Sequence, residues 1–228
     1  MTDYTQYLID VINAVKNSVD DANNNLSQLN NEILMLCGFS GIKTRHLLNN
    51  LCKNLSIVKK IKYVEVGTWM GSTLISASYK NYNMYVYGID NWSEFNENNS
   101  GTICKENINK LLTLEKENIT IVEKDCFSIN KDDININTTG LIDFYMFDGY
   151  HTYDTQKDAI TKYKQFFADI FVVYIDDWSW ERVQKGTFDG FKESNIEILY
   201  KIEDFSDQEN GGKDTYWNGF GLFICRNN

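Results

Sequence analysis

The stretch Val64-Glu65-Val66-Gly67-Thr68-Trp69-Met70-Gly71-Ser72-Thr73 closes a short apolar run with two glycines and leads into a segment of helical pattern. Glycines at a strand-to-helix turn let the backbone approach a ligand at the head of the helix, so this turn is expected to hold a cofactor. The dinucleotide fingerprint is not met. Trp69 stands where the middle glycine would lie and leaves less room for a pyrophosphate against the backbone.

Outward from this turn, short apolar runs alternate with longer amphipathic stretches, the pattern of βα units in a mostly parallel sheet. Strands are expected near 61–66, 84–89, 119–124, 141–147, 170–175, 196–202 and 219–225, with helices near 71–80, 102–117, 153–167 and 180–194. No helical pattern separates the last two strands, which carry Gly211-Gly212 between them, so they should pair antiparallel. The expectation is a Rossmann-like α/β domain: a seven-stranded, mostly parallel sheet with a reversed last strand and helices on both faces. Residues 59–228 form that domain, and residues 1–58 read as an N-terminal helical extension acting as a lid or an interface. In the extension, Tyr7, Leu8, Val11, Ile12 and Val15 recur at helical spacing before an Asp/Asn-rich break at 20–25. Further helices are expected at 26–36 and 43–53.

Composition sets the outer limits. In 228 residues, 43% are hydrophobic, enough for one substantial core. The formal charge of −10 argues against nucleic acid as the main partner, because phosphate recognition relies on clustered Lys and Arg. Five cysteines without a C-x-x-C pair suggest neither a disulfide framework nor a thiolate zinc site. With no long apolar run and no signal-peptide pattern, a soluble cytoplasmic protein without a membrane partner is expected. A homo-oligomer is compatible with the sequence.

Carboxyl groups recur at successive strand ends. Asp90 lies 25 residues after Glu65, placed to accept from a ribose, and Asp125 follows the third strand, where it can reach an exocyclic amine or cap a helix. A glycine turn plus carboxylates, without phosphate-binding features, suits S-adenosylmethionine. Glu65, Gly67, Thr68, Trp69, Gly71, Ser72, Asp90, Asn91, Trp92, Asp125, Cys126 and Asp148 are the cofactor-binding candidates.

The segments VEVGTWMGST (64–73), YGIDNW (87–92), FDGYHTYDTQKDAI (147–160) and VVYIDDW (172–178) resemble the class I S-adenosylmethionine-dependent methyltransferases, and within them a metal-dependent small-molecule and sugar O-methyltransferase branch that includes macrolide-sugar enzymes. The likeness spans about 61–225. It implies that Asp148 and the pair Asp176-Asp177 hold a divalent cation. Tyr150 departs from the branch, which often carries a small or acidic residue there.

Asp148 and Asp176 are one strand-helix-strand unit apart, so a parallel sheet brings them to one edge. Three carboxylates there need a cation or protons, and hard oxygen ligands suit Mg2+. Such an ion would bind the acceptor's oxygens and lower the pKa of the hydroxyl to be methylated. Asp148 is expected to take the hydroxyl proton as ligand and base, with His151 second. The rival reading has Asp176-Asp177 capping the helix near Trp180 and His151 bonding a loop carbonyl. Trp178 and Trp180 offer either a floor for a ring or helix packing, and Lys43, Arg45 and His46 form a group that could close over the site, with Lys43 alternatively a solvated helix-surface residue.

The reaction expected is methyl transfer to a hydroxyl of a small polar acceptor, a sugar or nucleotide-linked sugar first. A catechol-like phenol is the alternative acceptor. An NAD-dependent oxidoreductase and a non-catalytic cofactor-binding protein are the alternative classes.

Overall fold

The computed structural model describes residues 4–95, 99–206 and 212–228. Helices α1 (Tyr4–Asn23), α2 (Asn31–Leu34) and α3 (Ile42–Val58) precede the first strand. There follow β1 (Ile61–Val66), α4 (Ser72–Ser78), β2 (Met84–Asp90), α5 (Ser100–Leu111), β3 (Ile119–Glu123), α6 (Ile136–Thr139) and β4 (Ile142–Phe147). The chain ends with α7 (Tyr153–Thr161), β5 (Phe167–Asp176), α8 (Glu181–Glu193), β6 (Ile196–Asp204) and β7 (Phe220–Asn227). All seven strands form one sheet in the order β3-β2-β1-β4-β5-β7-β6. β7 runs antiparallel to both its neighbours, while the pairs from β3 through β5 are parallel. The expected Rossmann-like sheet with its reversed last strand is therefore observed. Of the expected Gly211-Gly212 turn, Gly211 lies outside the described residues.

Alternating side chains build two cores. Tyr63, Phe144, Met146, Val172 and Tyr174 face one side, where α1, α3, α4 and α5 cover them with Val11, Val15, Leu47, Leu51, Leu74 and Ile108. Val64, Val66, Tyr145, Phe147, Val173 and Ile175 face the other, under Ile160 of α7 and Val183 and Phe191 of α8. Strands covered on both faces read as continuous apolar runs, which is why the sheet was visible in the sequence.

The helix expected at 26–36 is reduced to the single turn α2. Its backbone groups are claimed by side chains of α3. Asn50 Nδ2 donates to the Leu26 carbonyl, Gln28 N donates to Asn49 Oδ1, and Arg45 Nη1 donates to the carbonyls of Leu34 and Leu36. Carbonyls taken by a buried guanidinium are lost to an i→i−4 ladder, and tertiary contacts override a weak helical preference. Arg45 also donates from Nε to Ser40 Oγ, and His46 Nδ1 pairs with Ser27 Oγ. Both residues are spent on holding this segment, so the expectation that they close over a ligand is corrected.

The same segment spans two parts of the molecule. Gly38 packs so tightly on Ser72 that a Cβ would stand 2.0 Å from its Oγ. A few residues on, Ile42 N and Lys43 N donate to the carbonyls of Lys213 and Thr215.

Candidate active site at the strand tips

The turn after β1 has a backbone most side chains avoid. Gly67 and Gly71 have φ of +88° and +86°. A Cβ on Gly67 would stand 1.9 Å from the Asp148 carbonyl oxygen, and one on Gly71 would stand 3.0 Å from Cys104 Sγ. Each glycine is thus required by the protein's own packing, whatever it does for a ligand. Trp69 is the unusual member, a bulky residue at φ +44°. Three hydrogen bonds hold it there: its N–H donates to Asp90 Oδ2 at 2.7 Å, its carbonyl accepts from Trp92 Nε1 at 2.9 Å, and its Nε1 donates to the Phe95 carbonyl at 3.0 Å. The indole stacks on Phe39, with ring centroids 4.5 Å apart.

Asp90, at the tip of β2, accepts one backbone N–H on each oxygen, from Trp69 and from Trp92. Each oxygen keeps a further lone-pair direction for a ligand hydroxyl. Trp92 itself is buried and props the turn, while Asn91 is exposed and accepts from Ser93 N. Asp125 caps the short turn beginning at Cys126 through a bond from Phe127 N, so the capping role is realised there. Thr68 and Ser72 are buried within the turn.

Glu65 lies beneath the turn and is fully buried. Tyr63 Oη donates to its Oε2 and Thr73 Oγ1 to its Oε1, at 2.6 and 2.8 Å. Burial drives its pKa up to about 8; the two hydroxyl bonds oppose that rise, and Asp148 and Asp90 add to it. At neutral pH Glu65 is a neutral acid, so a cationic ligand at this turn meets the carboxylates of Asp90 and Asp148 instead.

β4 and β5 lie side by side with Phe147 opposite Ile175, which sets Asp148 next to Asp176 at the shared edge. His151, in the loop after β4, enters this group. Its Nε2 stands 3.0 Å from Asp177 Oδ2 and 3.5 Å from Asp148 Oδ1, between the two and without a straight hydrogen bond to either. Burial disfavours charge on His151, but the nearby carboxylates of Asp148 and Asp177 outweigh it and raise its pKa. Asp176 is buried, and desolvation together with the charges of Asp148 and Asp177 lifts its pKa well above the carboxylate range. Asp177 is raised chiefly by burial, with His151 opposing.

The cluster expected from sequence therefore comes together, with burial and like charge raising the pKa of Asp176 and the ring of His151 lying between Asp148 and Asp177. Among the described residues no three His, Cys, Asp or Glu side chains are placed to hold a metal ion. With His151 wedged between Asp148 and Asp177, the donor set as arranged does not fit Mg2+. The capping alternative for the acidic pair is not realised either, since α8 begins at an N-cap, Trp180, without a side-chain cap. Nor does His151 bond a loop carbonyl through its ring; instead its own carbonyl accepts from Arg182 Nε at 2.7 Å. Of the flanking tryptophans, Trp178 is core, wedged against Phe188 and Phe223, and Trp180 meets the His151 ring edge-on at 5.3 Å.

One contact had no signal in the sequence. Asn218, 41 residues beyond Asp177, donates from Nδ2 to Asp177 Oδ1. The strand tips stay partly open: Gly67, Asp90, Asp148 and His151 are half-buried, and Asn91, Asp125 and Tyr150 are exposed. A cavity of about 650 Å³ lies elsewhere, lined by residues such as Leu141, Lys164, Phe167 and Asn228, and shares only Cys126 with the candidate set. It is a broad surface hollow that brings none of the clustered carboxylates together, so the chemistry is placed at the strand tips.

No protein-family model and no curated protein matches the sequence. Solved structures do match the fold. Magnesium protoporphyrin IX methyltransferase from Synechocystis PCC 6803, with bound SAH, superposes with TM-score 0.57 at 8% identity, covering 86% of this chain and 91% of that one. A candidate O-methyltransferase from Klebsiella pneumoniae gives TM-score 0.52 at 10% identity over 93% and 90%. A candidate RNA methyltransferase from Pyrococcus horikoshii gives 0.54 at 8% over 93% and 97%. At such identities the likeness establishes the fold, the Rossmann-like methyltransferase fold.

Proposed function

We propose that this protein is an S-adenosylmethionine-dependent methyltransferase acting on a hydroxyl of a small polar acceptor, a sugar or nucleotide-linked sugar before a catechol-like phenol. The observation that carries the reading is the gathering of a strained cofactor-type turn, Asp90 and the Asp148–His151–Asp177 group on one edge of a methyltransferase sheet. Ligands of open α/β sheets bind outside this edge. The fold neighbours support the cofactor by analogy only.

The fit to the cofactor rests on the donor set. Asp90 has lone pairs left for ribose hydroxyls, and the carboxylates of Asp90 and Asp148 suit a ligand carrying positive charge. When bound, adenosylmethionine supplies an electrophilic methyl group on its sulfonium. The chain's part is to hold the acceptor oxygen in line and to take its proton. His151 is the base we favour, because its imidazole stands beside Asp148 at the open strand tips and the carboxylates of Asp148 and Asp177 raise its pKa against burial. Trp180 beside it offers a floor for a ring. The test is mass spectrometry of methyl transfer from adenosylmethionine across a panel of sugars, nucleotide sugars and catechols. Turnover of catechols alone would replace the sugar reading, and no turnover with any hydroxylated acceptor would favour a non-catalytic binding protein.

Asp90→Ala is expected to weaken adenosylhomocysteine binding by about 1–3 kcal/mol, the scale for losing hydrogen bonds to a charged group. Isothermal titration reads this directly, and an unchanged affinity removes Asp90 from the site.

Cation assistance is a second reading, favoured by the β4–β5 register that sets Asp148 beside Asp176 and Asp177 at one edge. Those three would be the ligands, and His151 would have to leave its place between them. Activity that falls to background in chelator and returns with Mg2+ would establish it. Activity indifferent to chelator is what the observed arrangement predicts.

A further inference from the structure

We propose that Arg182 is a specificity-determining residue whose guanidinium binds an anionic group, a phosphate or a carboxylate, carried by the sugar acceptor. The inference rests on the reading of the strand tips as the acceptor site. Within that reading it selects nucleotide-linked and other acidic sugars over neutral ones.

The chain contains three arginines, and two of them are spent on the protein itself. Arg45 is buried and gives Nε to Ser40 and Nη1 to the carbonyls of Leu34 and Leu36. Arg226 pairs with Glu197 through Nη1 at 2.9 Å and donates from Nε to Tyr4 Oη at 2.7 Å. Arg182 is held differently. Its Nε donates to the His151 carbonyl at 2.7 Å, and its guanidinium carbon lies 4.4 Å from the centroid of the Trp180 ring. A stack and a bond through Nε fix the plane of the fork, and neither uses the edge formed by Nη1 and Nη2. Among the described residues that edge has no hydrogen-bond or ion-pair partner.

The place of this edge gives it a use. Arg182 is exposed in the first turn of α8 and tied to His151, whose ring lies between Asp148 and Asp177. Its positive charge reaches both His151 and Asp177, yet among the described residues it forms no salt bridge with Asp148, Asp176 or Asp177. A guanidinium that served only to balance the acidic group would pair with it. Lys185, one turn further along α8, is already engaged by Asp189. In a chain of formal charge −10, an anionic acceptor needs a local cation to approach a tip rich in carboxylates. Parallel N–H groups on Nη1 and Nη2 match two oxygens of a phosphate or carboxylate, and the stack on Trp180 leaves little side-chain freedom to be lost on binding.

So few arginines make the test direct. Guanidinium Nε–H signals of the full-length protein report Arg182, with Arg45 and Arg226 as internal controls, and ring signals of His151 report the acceptor site, with His46 as control. The probes are UDP-glucose, glucose-1-phosphate and glucuronate, with glucose as the neutral reference. Neither cofactor nor turnover is needed, so the outcome is separate from that of the methyltransferase reading, which adenosylhomocysteine titration decides. At least one anionic probe is expected to shift Arg182 and His151 together and saturably, leave Arg45 and Arg226 in place, and bind about tenfold or more tighter than glucose. A response to the phosphorylated probes identifies a phosphate, and a response to glucuronate alone identifies a carboxylate. Arg182→Gln is expected to weaken the responding probe by about tenfold or more; the residue is exposed, so the variant keeps the fold. No shift of Arg182 with any anionic probe would overturn the proposal, as would a shift shared equally with Arg226 or one that leaves His151 unmoved. So would an Arg182→Gln variant that binds the probe as tightly as the wild type, or that loses glucose and the anion in equal measure, the mark of a residue that only props the loop.

Discussion

His151→Ala is expected to lower the rate of methyl transfer by at least about 10²-fold, the low end of the range for losing a positioned general base. Adenosylhomocysteine affinity should stay within a few-fold, because the imidazole stands among Asp148, Asp177 and Trp180 and not at the Asp90 side of the turn. Steady-state kinetics with an acceptor from the panel gives the first number, and titration calorimetry gives the second. The wild-type rate should rise with pH through a midpoint above the ordinary histidine value, since Asp148 and Asp177 together outweigh burial in setting the His151 pKa. A variant with full activity would leave Asp148 as the base. One that loses cofactor binding along with activity would show that His151 supports the pocket.

The second large effect concerns Glu65 and stability. Its pKa rises from 4.5 to about 8 on folding, chiefly through burial. The folded state therefore holds a proton that the unfolded chain releases between these two values. Stability is highest below the unfolded pKa, falls as pH climbs from about 4.5 towards about 8, and is flat beyond, with a total loss on the order of 4–5 kcal/mol. Glu65→Gln cannot ionise, and its amide can still meet the hydroxyls of Tyr63 and Thr73. Urea unfolding at pH 5 and pH 8.5 should show the wild type losing several kcal/mol more than the variant across that interval. Equal losses in the two proteins would mean that Glu65 is ionised in the fold.

What could be read in advance follows from what each feature depends on. The strands stand out because apolar residues covered on both faces leave long runs, and the antiparallel end is legible because no helical pattern separates the last two strand-like runs. Asp148 and Asp176 were placed together correctly, since a parallel register makes successive strand ends neighbours. Local periodicity extends the single turn α2 into a longer helix because the groups that compete for its backbone, on Asn49, Asn50 and Arg45, lie on α3. A pattern of local periodicity carries no trace of a guanidinium that reaches back across nine residues to a carbonyl.

The same limit applies to the acidic group. Three like charges at a sheet edge point to a cation, yet burial pushes the Asp176 pKa up and His151 stands between the other two carboxylates. Burial decides which answer applies, and burial is not written in spacing. Asn218 was missed for the same reason: its bond to Asp177 closes only when β7 lies beside β5. Trp69 is an obstacle to pyrophosphate by its bulk, and its left-handed backbone is a second feature that the residue type does not reveal.

The account stands or falls on the ligand of the turn. Isothermal titration of the full-length protein with S-adenosylhomocysteine, and separately with NAD, is the most direct measurement. A single site for adenosylhomocysteine with Kd below about 100 μM and no heat attributable to NAD is the expected result. No adenosylhomocysteine binding, or a preference for NAD, would contradict it.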